Sequence, residues 1–283
     1  MSIDPVQEQR FNVRAAVPDH LAIFAQWRAM SDAYKAACTD AKLDQAYGDA
    51  PSETLDFFPA MGAHAPTPVV LLIHGGYWQA LDKADNAFAA RAFNAAGIGV
   101  AVVNHTLCPD ISLDGITDQI RQASLWLWRN ADALGCDPDR MFVVGHSAGG
   151  HLAAMMMCTD WRAIDAQAPV DLFKGGVAIS GLFDLTQLVE TTINAKVGLD
   201  RQSAMVLSPM RLIPSSTAPF IAAVGGAESD GFHEQSDRLR DAWGDHGVTV
   251  ERLTVPGGHH FQAFEALLDP RAPVFEKTLL LMS

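Results

Sequence analysis

Ser147 stands between two glycines in Gly145-His146-Ser147-Ala148-Gly149, after the apolar run Met141–Val144 and before Gly150-His151-Leu152-Ala153-Ala154-Met155. A strand, a sharp turn and a helix in that order are the context a nucleophile elbow needs. The turn forces the serine into a strained backbone, and small residues two positions either side let the neighbouring strand and helix approach. The hydroxyl then stands at the tip of a sheet, above a helix N-terminus that favours developing negative charge. G-x-S-x-G alone recurs by chance in glycine-rich chains. Its flanks carry the reading.

A second motif fits the same chemistry. The apolar run Val69–Ile73 leads directly into His74-Gly75-Gly76-Tyr77-Trp78. Acyl transfer builds an oxyanion, which needs two or three backbone N–H groups aimed at one point. The residue after the nucleophile, Ala148, supplies one, and a glycine-rich loop after an earlier strand, here Gly76 and Tyr77, supplies the others. Taken alone, His-Gly-Gly is a turn after a buried strand; the elbow downstream turns it into an expected oxyanion hole. His74 is expected to brace the loop. Trp78, directly after the oxyanion residues, is expected in the substrate pocket.

With these two loops together, the chain resembles a known family. His-Gly-Gly-Tyr-Trp, Gly-His-Ser-Ala-Gly-Gly-His-Leu and Leu107-Cys-Pro-Asp-Ile-Ser-Leu113 are similar to segments of the serine-type kynurenine formamidases and their carboxylesterase relatives. The resemblance runs from about Thr54 to Leu268. It implies an α/β-hydrolase fold: a mostly parallel sheet flanked by helices, with an N-terminal helical segment and a lid insertion. The elbow is generic to the superfamily, whereas Tyr-Trp after His-Gly-Gly is more specific to the formamidase-like branch.

A serine hydroxyl needs a base, and the base an orienting carboxylate. The fold's chain order is serine, acid, histidine. His151, His233, His246, His259 and His260 follow Ser147. His151 lies four residues past the nucleophile and should point along the elbow helix. His233 and His246 flank a surface helix. His259 and His260 follow the last long strand and the turn Pro256-Gly257-Gly258, which can carry an imidazole back over the sheet edge. The residues leave both open; the resemblance, with its histidine directly before Phe, implies His260.

The acid belongs in the loop Gly225-Gly226-Ala227-Glu228-Ser229-Asp230-Gly231-Phe232, after the strand Phe220–Val224. Glu228 and Asp230 compete, and a carboxylate here can also be a helix-start charge. The resemblance implies Glu228, although aspartate is the more usual residue there. Asp184 reads as a turn or cap residue. His105, where relatives commonly carry an aromatic, lines the pocket or faces the loop. No residues cluster as a metal site, and neither metal nor cofactor is expected.

The elements that must position these groups alternate. The chain has 283 residues and 49% hydrophobic content, enough for one large core. Strands are expected at Thr54–Phe58, Val69–Ile73, Ile98–Asn104, Met141–Val144, Gly176–Ile179, Phe220–Val224 and Thr249–Val255. Helices are expected at Gly115–Leu134, from the elbow to about Cys158, at about His233–Asp245 and at about Phe261–Leu268. Alternation of this kind gives a mostly parallel sheet covered on both faces. No boundary divides residues 1–283, which read as one domain. Residues 1–50 form an N-terminal cap-like segment. Within it, Pro18–Ala37 carries Leu21, Phe24, Trp27 and Tyr34 at helical spacing, either a helix packed on the core or a cap over the acyl pocket. Residues 182–214 are irregular and rich in Thr, Ser and Met, a lid insertion or a surface excursion.

Composition narrows the partners. Twenty Lys and Arg against 33 Asp and Glu leave a net charge of −13, which argues against nucleic acid and anionic membranes. No apolar run is long enough to span a bilayer, and the first residues lack the basic start and apolar block of a signal peptide. Cys38, Cys108, Cys136 and Cys158 show no C-x-x-C spacing, as expected of scattered reduced thiols. The cytoplasm is the expected location, and a homodimer stays open. The expected activity is serine hydrolysis of small acyl esters or N-formyl aromatic amides. The alternatives are a short-chain carboxylesterase of the same lineage and a catalytically silent small-molecule binder.

Overall fold

The computed structural model describes residues 3–62 and 66–283. The strands are β1 (Lys42–Ala46), β2 (Thr54–Phe58), β3 (Thr67–Ile73), β4 (Gly99–Val103), β5 (Cys136–His146), β6 (Gly176–Ile179), β7 (Phe220–Gly225) and β8 (Val250–Val255). They form one sheet in the order β1-β2-β4-β3-β5-β6-β7-β8. The pairs β1·β2 and β2·β4 are antiparallel. All pairs from β4 across to β8 are parallel. Every residue of β3, β4 and β7 is buried, because helices cover both faces of a parallel sheet and leave no side for polar residues.

Register decides where the loops emerge. Ile73 at the end of β3 pairs with Gly145 in β5, so the His-Gly-Gly loop and the elbow leave the sheet side by side. Gly225 at the end of β7 pairs with Val255 at the end of β8, which puts the acid loop beside the turn leading to His260. All four loops lie at the carboxyl edge of the parallel strands, where open α/β sheets bind ligands.

Three helices precede the sheet: α1 (Pro5–Phe11), α2 (Val13–Ala16) and α3 (His20–Ala37). The stripe on α3 is divided. Trp27 and Tyr34 are buried, Leu21 is 72% exposed, and Phe24 turns toward the cleft described below. Two short helices were not evident from hydrophobic spacing, because α1 and α2 bury little beyond Phe11 and Val13. Strand β1 was also unread. Its residues are mostly exposed, so backbone pairing with β2 holds it rather than an apolar pattern.

Residues 182–214 are not irregular. They hold helical turns at Leu185–Leu188, Asn194–Val197, Arg201–Val206 and Pro209–Arg211. Asp184 anchors the start: it accepts from Thr186 and pairs with Arg211 at 3.1 Å and Arg238 at 3.0 Å. It is the cap residue expected. A terminal helix, Pro273–Leu281, closes the chain against β8 and the turn Ala266–Leu268. Among the described residues no helix is long and apolar enough to cross a membrane.

Candidate active site

Ser147 has φ +55° and ψ −118°, the strained backbone an elbow demands. The glycines around it are there for space. A Cβ on Gly145 would lie 2.0 Å from the Gly149 carbonyl oxygen, and one on Gly149 would lie 2.1 Å from that of Ile73. The Ser147 amide is tied to Ile179 O at 2.7 Å, and the helix α4 (Ala90–Ala95), the long helix α5 (Leu113–Asn130) and the elbow helix α6 (Ala148–Met157) flank the sheet.

The neighbouring loop is strained at three successive residues: φ is +104° at Gly76, +53° at Tyr77 and +59° at Trp78. A side chain at Gly76 would place its Cβ 2.0 Å from Ala80 O, so the tight return of the loop requires glycine. Cys108 N donates to Trp78 O at 2.7 Å, and the Tyr77 hydroxyl donates to Phe11 O in α1. His74 donates from Nδ1 to Gly75 O at 2.8 Å and stacks on His105, with ring centroids 4.6 Å apart. His74 braces the loop as expected. His105 is its buried stacking partner and does not reach the cleft. The amides of Gly76, Tyr77 and Ala148 donate to no backbone or side-chain acceptor among the described residues, leaving three N–H groups beside Ser147.

The structure separates the competing histidines and acids. His260 donates from Nδ1 to Glu228 Oε2 at 2.7 Å. His259 instead caps the helix His260–Glu265, accepting from the amides of Phe261 and Gln262. Asp230 is exposed in the first turn of the helix Asp230–Gly244, the helix-start charge that was the other reading of this loop. The second Glu228 oxygen, Oε1, accepts from Ser180 Oγ at 2.5 Å and from Gly225 N at 2.7 Å. Burial would raise the Glu228 carboxyl, but the His260 imidazole and these donors outweigh it and hold it below its ordinary value. No residue pattern marks Ser180 as a partner of the acid; it sits at φ +53° on the turn after β6.

Ser147 and His260 line one cleft together with Gly76, Tyr77, Phe24, Leu81, Phe261, Val13 and Arg14. With Nδ1 engaged by Glu228, the free Nε2 of His260 lies on the opposite ring edge. No hydrogen bond yet joins Ser147 to it, and such contacts commonly tighten only when substrate binds. The space over Ser147 is about 10 Å³, roughly one water. A second, larger space of about 390 Å³ shares Tyr77 and Arg14 with it and is bounded also by Asn12, Ala15, Gln79, Thr192 and Ile193.

Trp78 departs from expectation. It is 1% exposed, packs edge-on against His151 at 5.1 Å and lies behind the cleft wall instead of on it. Tyr77 lines the cleft while the Trp78 ring packs edge-on against Tyr77 at 6.2 Å and against His151, so adjacency in sequence does not carry both to the pocket. His151 points away from Ser147, its Nε2 donating to Leu207 O at 2.8 Å. Among the described residues no group of three or more His, Cys, Asp or Glu side chains is placed to hold a metal.

The arrangement can deliver a serine oxygen, a histidine that moves its proton, a carboxylate that orients the histidine and three amides for a developing oxyanion. Comparison with known proteins places the chain among ester- and amide-cleaving hydrolases. The BD-FAE family model matches residues 55–243. The chain is 30% identical over 233 residues to kynurenine formamidase of Salmo salar, covering 80% of this chain and 77% of that one. It is 30% identical over 226 residues to carboxylesterase NlhH of Mycobacterium tuberculosis, covering 72% and 69%. A crystal structure from Silicibacter sp. TM1040, provisionally named a thioesterase, superposes with a TM-score of 0.84 at 29% identity, covering 95% of this chain and 97% of that one.

Proposed function

The chain belongs to the BD-FAE family and is an ester- or amide-cleaving α/β-hydrolase, and from that premise we propose that it cleaves small acyl esters and N-formyl aromatic amides through an acyl-enzyme on Ser147. His260 takes the serine proton as Ser147 attacks the carbonyl carbon. Glu228 steadies the imidazolium, and the oxyanion is held by the amides of Gly76, Tyr77 and Ala148. Collapse breaks the bond to the alcohol or amine, which leaves with the proton from His260. Water, deprotonated by the same imidazole, then releases the acid and restores the serine.

The observation that carries the formyl side of this reading is the contrast in space. About 10 Å³ over Ser147 accommodates the smallest acyl groups, while about 390 Å³ next to it suits an aromatic leaving group. The Salmo salar relative is named for a formamidase and the Mycobacterium tuberculosis relative for a carboxylesterase, so both activities belong in one assay. N-formylkynurenine and phenyl esters from formate to butyrate should be compared by kcat/KM. Detectable formamide cleavage with short acyl chains preferred supports the proposal. Absent formamide turnover with butyrate fastest replaces it with a short-chain carboxylesterase. One added methylene changes specificity by only about 10–200-fold, so the whole acyl series is needed.

The reading treats the chain as one catalytic domain, with residues 1–50 capping the cleft and 182–214 as a lid. It is supported by Phe24, Val13 and Arg14, which line the space over Ser147, and by Thr192 and Ile193, which line the larger space with Arg14. A cytoplasmic location fits the four free cysteines, and size-exclusion with light scattering would decide between monomer and homodimer.

A further inference from the structure

We propose that Arg14 selects substrates whose leaving group carries a carboxylate. Arg14 is the one residue besides Tyr77 that lines both the space over Ser147 and the larger space beside it. Its guanidinium has no ion pair and no hydrogen bond among the described residues. Arg10, on the preceding helix α1, is different: it pairs with Glu234. Glu8 makes no ion pair with Arg14, although its carboxylate stands near the same Tyr77. Both its oxygens are engaged, with Asn12 at 2.7 Å and with the Thr192 hydroxyl and amide at 2.6 and 2.8 Å.

Neither space is lined by an acidic side chain, in a chain where acids outnumber Lys and Arg by 33 to 20. A permanently charged guanidinium at the mouth of such a cleft is matched by a monoanion. A carboxylate suits it best, because the planar fork can take both oxygens at once. The bland alternative is a charge at the end of α2, but that helix has only four residues and little dipole to complement. The anion belongs on the leaving group, since the space over Ser147 is too small for an acyl chain that carries one.

This inference rests on the hydrolase reading, and the test separates the two. Acetyl esters of 4-hydroxybenzoate and of its methyl ester place a carboxylate and a neutral isostere on the same leaving group. Rates are normalised to sites titrated with a fluorophosphonate, and the quantity read is the ratio of the two kcat/KM values. Arg14→Gln should lower that ratio on the order of 10–100-fold, the worth of one charge-assisted hydrogen bond, with the change mainly in KM. Arg14→Lys should restore part of it, Arg14→Glu should lower it further, and salt should lower it in the unmodified protein. A ratio that stays within twofold in Arg14→Gln and Arg14→Glu overturns the role of Arg14 alone. An unmodified protein that cleaves neither ester overturns the hydrolase reading beneath it.

Discussion

The Nδ1 of His260 lies 2.7 Å from Oε2 of Glu228, and both side chains are almost wholly buried. This contact leaves one nitrogen of the imidazole free for the cleft and fixes the ring by the other. The carboxylate is itself fixed, because Ser180 and Gly225 hold its second oxygen. The glutamate, despite its long side chain, is therefore held at both oxygens.

The acid assignment yields a ranking. Glu228→Ala should lower kcat by several orders of magnitude, on the order of 10⁴ by analogy with other triad carboxylates, with little change in KM. Asp230→Ala should be mild, since Asp230 is exposed and makes no contact with His260. The reverse order in steady-state kinetics would move the acid to Asp230. Small, equal effects would mean that neither carboxylate orients the imidazole.

Trp78 gives a prediction that separates packing from recognition. Its indole is buried behind the cleft, so Trp78→Ala should cost stability, about 3–5 kcal/mol for a large aromatic. The milder Trp78→Phe should leave the relative rates on formate, acetate and butyrate esters nearly unchanged. An acyl-length profile that shifts in the folded Phe variant would put Trp78 back into the pocket wall.

Several histidines couple stability to pH. Burial lowers His151 to about 4 and His105 to about 3, and it also holds His74 and His146 below the ordinary value of 6.5. In the unfolded chain these imidazoles bind protons below about pH 6.5, while the folded protein does not until well under that. The unfolded state then holds more protons, so stability is full above pH 6.5 and is lost as pH falls toward 4. The slope is up to about 1.4 kcal/mol per pH unit for each such imidazole. Urea midpoints at pH 7.5, 6.5 and 5.5 measure this. A midpoint that holds steady or rises on acidification contradicts neutral burial of these rings.

The parallel strands were legible because they are nearly continuous apolar runs, and Gly176–Ile179 falls where hydrophobicity alone puts it. The Ser147 and Gly76 loops were legible because their glycines answer a local steric demand. What the sequence withheld was what distant segments do to each other. Strand β1 is held by pairing and carries little apolar signal. Ser180 reaches Glu228 across 48 positions, and Arg14 meets the cleft only because α1 and α2 fold back over it. Trp78 is buried between Tyr77 and His151, a contact that its place directly after the loop glycines does not announce.

The most direct test of the account is covalent. A fluorophosphonate should add once per chain, peptide mass spectrometry should place the adduct on Ser147, and Ser147→Ala should fold normally, take up no label and lose turnover of every ester and formamide. Stoichiometric labelling at another residue, or a Ser147→Ala protein that keeps its activity, would contradict Ser147 as the nucleophile.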